Sequence, residues 1–140
     1  MVWGKKSMRI DLDHFGIVTN DLDKFESFWV DIIGFKMIFQ SRIPAEMNNA
    51  LFGINVSAFC ARYKKGSMTL EVHVYDKKVQ KREMPFNAFG LNHIAFWVKD
   101  RQKFLKKHNF KTHIYHNPKG WDNIFIEDFE GNWVEIRTTL

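Results

Sequence analysis

The sequence of 140 residues predicts an α+β domain made of two βαβββ modules. The main evidence is an internal repeat, because self-similarity at a fixed offset constrains the architecture before any element is assigned. Residues 12–18 (LDHFGIV) match residues 91–97 (LNHIAFW), and residues 69–73 (TLEVH) resemble residues 133–137 (WVEIR). The match of the first pair continues in register at Asp21 with Asp100, Lys24 with Lys103, and Phe25 with Phe104. A single domain over residues 1–140 is therefore predicted, with modules at 9–76 and 89–140 and a charged linker at 77–88 that contains Pro85.

In the first module, residues 9–18 alternate in polarity as a strand does. Asn20 is predicted to cap a helix, whose apolar stripe comprises Leu22, Phe25, Phe28, Trp29, Ile32 and Ile33. Strands are predicted at 36–42, 55–63 and 68–75. Residues 42–54 are interpreted as an irregular segment that covers a cleft.

The second module follows the same order. Its first strand is predicted at 91–98 and its helix at 101–108, although only Phe104 and Leu105 are strongly apolar there. The remaining strands are predicted at 111–116, 123–127 and 133–138. The helix assignment therefore depends on the repeat more than on its own periodicity.

Composition excludes several classes of protein. Hydrophobic residues make up 45% and charged residues 26%, which are globular values, and no apolar run approaches the roughly 20 residues that cross a bilayer. Residues 1–9 lack the apolar core of a signal peptide, so a soluble cytoplasmic protein is expected. The net charge of +5 is spread as short basic pairs, which indicates a solvated surface and argues against a nucleic-acid partner. Cys60 is the only cysteine, and its apolar setting indicates a small core residue.

Ionisable residues share one face of the predicted sheets. Because side chains alternate along a strand, Thr69, Glu71, His73 and Tyr75 point away from Leu70, Val72 and Val74, which are expected to face the helix of the module. His14, His93 and Glu135 are flanked by apolar residues in the same way. If the modules pack about a pseudo-two-fold axis, His14, Glu71, His93 and Glu135 converge. A single histidine on a strand is more often a structural residue. Here, however, a histidine and a glutamate recur at equivalent positions in both modules. This recurrence favours a site for one divalent ion of zinc, nickel, cobalt, manganese or iron.

These residues resemble the vicinal oxygen chelate superfamily, which includes glyoxalase I, methylmalonyl-CoA epimerase, extradiol dioxygenases, fosfomycin-resistance enzymes and bleomycin-resistance proteins. The resemblance lies in residues 12–14 (LDH), 69–71 (TLE), 90–96 (GLNHIAF) and 128–135 (DFEGNWVE). It implies a glyoxalase-like fold, in which the two modules form a curved half-barrel sheet around a metal cleft. It also implies a small-molecule substrate and a homodimer, with sites formed within one chain or across two.

The complete set of two histidines and two glutamates is most similar to the glyoxalase and epimerase branches. This implies a lyase or isomerase that acts on a small carbonyl or hydroxy-acid compound, a thioester among the options, through a metal-stabilised enediolate. Glu71 and Glu135 would then transfer protons. Glutathione is disfavoured because residues 15–18 (FGIV) lack the basic side chain that its known enzymes use there.

Two alternatives remain open. Extradiol dioxygenases use two histidines and one carboxylate, so Glu71 would crowd such a site, and bleomycin-type sequestering proteins generally lack the ligands. The candidates for substrate contact are His73, Tyr75, Arg137 and Trp121. In the repeat register His73 lies opposite Arg137, one pleat beyond Glu71, which predicts that it supports Glu71 and does not bind the metal directly.

Overall fold

The computed structural model describes residues 10–83 and 86–138. Within these ranges the elements, in chain order, are β1 Phe15–Val18, α1 Leu22–Trp29, β2 Lys36–Ile43, α2 Ala45–Phe52, β3 Ala58–Lys65, β4 Met68–Tyr75, β5 His93–Trp97, α3 Arg101–Lys107, β6 Thr112–His116, β7 Asp122–Glu127 and β8 Trp133–Arg137. One sheet has the strand order β1-β4-β3-β2 and the other has the order β5-β8-β7-β6. The predicted α+β class is confirmed. Residue 9 of the predicted first strand and Pro85 of the linker lie outside the described residues.

The two sheets repeat each other in register as well as in order. In the first sheet β1 and β4 are parallel, and Gly16 lies opposite Glu71. In the second sheet β5 and β8 are parallel, and Ala95 lies opposite Glu135. The two glutamates therefore occupy the same position in equivalent strand pairs.

Two local predictions for the first module are wrong. Residues 42–54 are not irregular but contain α2, which ends at Gly53 with φ +69°, a left-handed conformation that glycine adopts without steric cost. The apolar residues of this helix do not form the buried stripe that marks a helix in sequence, since Leu51 and Phe52 are exposed. The N-cap of α1 is Asp21, whose side chain accepts from the backbone N–H of Lys24. Asn20 instead exchanges two hydrogen bonds with the backbone of Val79.

Helix α1 is part of the second unit of the structure. The described chain divides into a first unit (10–20 and 33–79) and a second unit (21–32, 80–83 and 86–138). Phe28 of α1 packs edge-to-face against Phe110 and Phe129 at centroid distances of 6.0 and 5.6 Å. Trp29 lies 6.1 Å from Phe96. The aromatic stripe therefore packs against aromatic residues of the second unit.

Each unit has its own buried core. The first contains Phe35, Ala58, Cys60, Ala61, Tyr63, Leu70 and Val72, and the second contains Phe25, Phe28, Trp29, Ile124, Ile126, Val134 and Ile136. Burying side chains of this size contributes about 1.5–3 kcal/mol for each large residue. The opposite faces of β4 and β8 are thereby left for polar side chains.

Across the described parts of the chain, no helix is long and apolar enough to cross a membrane.

Candidate metal centre

The first unit contains a histidine–glutamate pair. His14 directly precedes β1 and Glu71 lies in β4, with His14 Nε2 3.7 Å from Glu71 Oε2. The other ring nitrogen, Nδ1, lies 2.5 Å from Asp13 Oδ2. A carboxylate at Nδ1 favours the tautomer in which Nε2 carries a free lone pair, as metal-binding histidines require. The two side chains are 30% and 13% exposed, so both remain accessible to a small ion.

The second unit contains an equivalent pair. His93 begins β5, and its Nε2 lies 3.6 Å from Glu135 Oε2 in β8. Its Nδ1 lies 2.5 Å from the amide oxygen of Asn92. An amide oxygen only accepts hydrogen bonds, so this contact favours the same tautomer as Asp13 does for His14.

The donor atoms of each pair fit a divalent transition metal. Imidazole nitrogen and carboxylate oxygen are suitable ligands for zinc, nickel, cobalt, manganese and iron. With bonds of about 2.1 Å, a separation of 3.6 to 3.7 Å corresponds to a ligand–metal–ligand angle of roughly 120°. Each pair can therefore supply two adjacent ligands without a change of rotamer.

The two glutamates differ in their surroundings. Arg62 lies opposite Glu71, and its Nε donates to Glu71 Oε2 at 2.8 Å. His73 Nε2 contacts the other carboxylate oxygen at 2.7 Å. Burial opposes the ionisation of Glu71, but the hydrogen bonds from His73 and Arg62 outweigh it and hold the pKa of this carboxyl below its usual value. Glu71 is therefore a fixed carboxylate.

At the position that Arg62 occupies in the first unit, the second unit has Phe125, which lies opposite Glu135. Phe125 packs edge-on against His93 at 5.2 Å, and Phe86 stacks on the same ring at 5.8 Å. Among the described residues, His93 is the sole ion-pairing partner of Glu135. Glu135 can therefore accept a proton without losing an ion pair to arginine.

Sequence reasoning missed the neighbours of Glu71. The prediction that Cys60 is buried is confirmed, since its exposure is 5%. Its thiol nevertheless lies on the ligand side of the sheet, and the ligand atoms of Cys60, Glu71 and His73 are all within 4.8 Å of one another. Burial, with a further contribution from the charge of Glu71, raises the pKa of the Cys60 thiol. The alternation Cys60, Arg62 along β3 was the available signal, but it required the strand register to be known.

The candidates for substrate contact fall into two groups, one in each unit. In the second unit, Trp121 and Arg137 line a cleft together with Glu135. In the first unit, His73 contacts Glu71, and the ring of Tyr75 lies edge-on to that of His73 at 6.5 Å.

The chain belongs to the glyoxalase/bleomycin resistance protein/dioxygenase superfamily, whose family profile matches residues 13–121. This confirms the resemblance seen in the sequence. None of the curated protein sequences matches the chain significantly.

Solved structures support the glyoxalase-like fold. A glyoxalase family protein from Bacillus cereus is 19% identical over 98% of this chain and 99% of its own, with a TM-score of 0.76. The fosfomycin resistance protein FosX from Listeria monocytogenes, complexed with Mn(II) and sulfate, is 16% identical over 95% of both chains, with a TM-score of 0.59. Lactoylglutathione lyase from Agrobacterium tumefaciens is 18% identical over 91% of this chain and 92% of its own, with a TM-score of 0.55. At these identities the likeness shows the fold alone.

Proposed function

We propose that the protein is a divalent-metal-dependent lyase or isomerase that acts on a small carbonyl or hydroxy-acid compound. The observation that carries the proposal is the repeated pair: each unit has a histidine whose Nδ1 is held by the preceding residue and whose Nε2 lies 3.6 to 3.7 Å from a glutamate. In this proposal His14, Glu71, His93 and Glu135 jointly bind one ion of zinc, nickel, cobalt, manganese or iron.

The bound ion would supply Lewis-acid polarisation of substrate oxygens. Asp13 and Asn92 orient the two imidazoles, and Arg62 and His73 keep Glu71 anionic. Glu135 takes the proton from the carbon next to the substrate carbonyl, because among the described residues it is ion-paired to His93 and to no arginine. Glu71, the more firmly held carboxylate, is the second proton-transfer group.

The ion pair between Arg62 and Glu71 also favours a second candidate function. If Arg62 retains Glu71 when metal is present, the remaining ligands are His14, His93 and Glu135. Two histidines and one carboxylate form the ligand set of non-haem iron oxygenases, which corresponds to the dioxygenase alternative. The lyase or isomerase is preferred because Glu71 is placed as a ligand in the same way as Glu135. Nε2 of His14 is as close to Glu71 as Nε2 of His93 is to Glu135.

Metal analysis tests the shared site. We expect one ion per chain, whereas two ions per chain would mean that each pair binds its own. Glu135→Gln should weaken metal binding strongly. Glu127→Gln is the control: its carboxylate is 13% exposed, against 20% for Glu135, and it pairs with His113 and Lys111 outside both candidate pairs. Folded wild-type protein without affinity for any of the five metals would overturn the proposal and leave a non-catalytic sequestering protein.

Solvent exchange tests the reaction. With an α-hydroxy or α-acyl carbonyl compound, the metal-loaded protein should exchange the carbon-bound proton for deuterium, and Glu135→Gln should abolish that exchange. Catechols should produce no oxygen uptake. The reverse pattern would assign the protein to the dioxygenase alternative.

A further inference from the structure

A cleft with a volume of about 260 Å³ lies in the second unit at the end of β8. Its lining includes Trp97, Arg101, Trp121, Asp122, Glu135 and Arg137. Glu135 is the proposed base, so the cleft adjoins one half of the candidate metal centre. The volume lies just below the roughly 300 Å³ at which clefts for drug-sized ligands begin, so the occupant is a small molecule and not an entire coenzyme A thioester.

The cleft contains two arginines, Arg101 and Arg137, and two acids, Asp122 and Glu135. Among the described residues, no carboxylate lies within ion-pairing distance of Arg101 or Arg137. Arg101 Nη1 donates to the carbonyls of Asp122 and Ile136 at 3.0 and 3.2 Å, which fixes its guanidinium and leaves its other N–H groups free to bind a ligand. The acid in the lining other than Glu135, Asp122, is hydrogen-bonded to His116 Nδ1 at 2.8 Å. These two guanidinium groups therefore suit an anion.

Two tryptophans supply the apolar part of the cleft. The guanidinium of Arg137 lies 4.7 Å from the centre of the Trp97 ring, and such stacking orients an arginine while leaving its N–H edge available. Trp97 and Trp121 are 63% and 49% exposed, which is unusual for so large an apolar side chain. A ligand that carries a planar or apolar group next to its acidic group would cover both tryptophan rings.

The spacing along β8 sets the length of the ligand. Glu135 and Arg137 are two residues apart and lie on the same strand face, which places them roughly 7 Å apart along the strand. An anionic group at Arg137 therefore puts a carbon a few bonds away within reach of Glu135.

We propose that this cleft binds the acidic group of the substrate, so that the substrate is a small organic acid with its carboxylate or phosphate at Arg137 and its apolar body against Trp97 and Trp121. The assignment of that acid as a substrate rests on the proposed function, in which Glu135 is the base. Binding of the acid itself depends on Arg137 and the tryptophans and requires no metal.

Calorimetric titration of the full-length protein, with and without prior chelation, tests the proposal. The probes are phenylacetate, phenyl phosphate and the neutral phenylacetamide, which share a ring and differ in charge. At least one of the acids should bind 10-fold or more tightly than the amide in both preparations, and the comparison of the two acids shows whether carboxylate or phosphate is preferred. Equal affinity for all three probes would overturn the proposal.

Variants identify the residue responsible. Arg137→Gln should remove the preference for acids, and Arg137→Lys should restore part of it, since lysine keeps the charge but not the stacked geometry. Lys99→Gln removes one positive charge from an exposed position outside the cleft and should leave binding unchanged. An equal loss in Lys99→Gln would mean that net charge alone attracts the acids, which would also overturn the proposal.

The two proposals fail in different ways. If chelated protein binds the acids but no carbonyl compound undergoes exchange, the acid site stands and the lyase or isomerase function fails. If exchange occurs on carbonyl compounds but neither acid probe binds more tightly than the amide, the function stands and the acid site fails.

Discussion

The hydrogen bond between Trp29 and Asp128 tests whether helix α1 packs in the second unit. Trp29 Nε1 donates to Asp128 Oδ2 at 3.1 Å, and the two residues are 1% and 7% exposed. The same oxygen accepts from Asn132 Nδ2 at 2.8 Å. Asp128 Oδ1 accepts from the backbone N–H groups of Glu130 and Asn132. Four donors therefore converge on one buried carboxylate.

Asp128→Asn replaces one accepting oxygen with an amide that donates, so two of the four hydrogen bonds are lost. A hydrogen bond to a charged group contributes about 1.5–3 kcal/mol, and the predicted loss in the free energy of unfolding is therefore about 3–6 kcal/mol. Trp29→Phe removes the indole donor. In that background Asp128→Asn should cost about 1.5–3 kcal/mol less, and this difference is the coupling energy of the pair.

Urea unfolding of the four proteins, followed by circular dichroism, measures the cycle. Asp100→Asn is the control, because Asp100 caps α3 by accepting from Lys103 N at 3.0 Å and asparagine caps as well as aspartate does. It should cost less than about 0.5 kcal/mol and be additive with Trp29→Phe. A coupling below about 0.5 kcal/mol between Trp29 and Asp128 would refute the placement of α1 in the second unit.

Three further predictions concern the first unit. Metal titration should show a loss of about 10- to 100-fold in His73→Gln, as for a group that supports a ligand, and a much larger loss in Glu71→Gln; the opposite order would mean that His73 is the ligand. Because the pKa of Glu71 is lowered in the folded state from its usual 4.5, its stabilising effect is complete above that value and is lost as the pH falls towards the folded pKa. Metal-free Glu71→Gln should accordingly lose less stability than the wild type when acid unfolding is followed below about pH 4.5, and parallel curves would contradict the ion pairs. Buried Cys60, with its raised pKa, should be alkylated by iodoacetamide at pH 7 roughly 10-fold or more slowly in the folded metal-free protein than in urea, whereas equal rates would show that the thiol is accessible.

Strand content and the strand positions of His14, Glu71, His93 and Glu135 were readable from the sequence, whereas their arrangement as two histidine–glutamate pairs came from the structure. β4 has the predicted bounds, Met68–Tyr75, and the observed registers place Glu71 opposite Gly16 and Glu135 opposite Ala95, as the repeat requires. The reason is physical: a strand pairing with one buried face tolerates no slip of one residue, because such a slip would expose the core side chains. The alternation of apolar and polar residues along a strand therefore fixes the register of strand pairing. That register determines which side chains lie next to one another. The predicted role of these residues in metal binding remains to be tested.

Only the tertiary structure decided which residues pack against one another. The spacing of Phe25, Phe28 and Trp29 showed that α1 has an apolar face, but burial is non-directional, and any complementary surface would have satisfied it. The contact of Arg62 with Glu71 and the cleft shared by Trp121, Glu135 and Arg137 likewise join residues that are distant in sequence. Local periodicity specifies the face that a residue occupies, whereas its partner across that face depends on how the elements pack. For this reason the sequence indicated the candidate ligands, and only the structure showed which glutamate is held by arginine and that Trp121, Glu135 and Arg137 line one cleft.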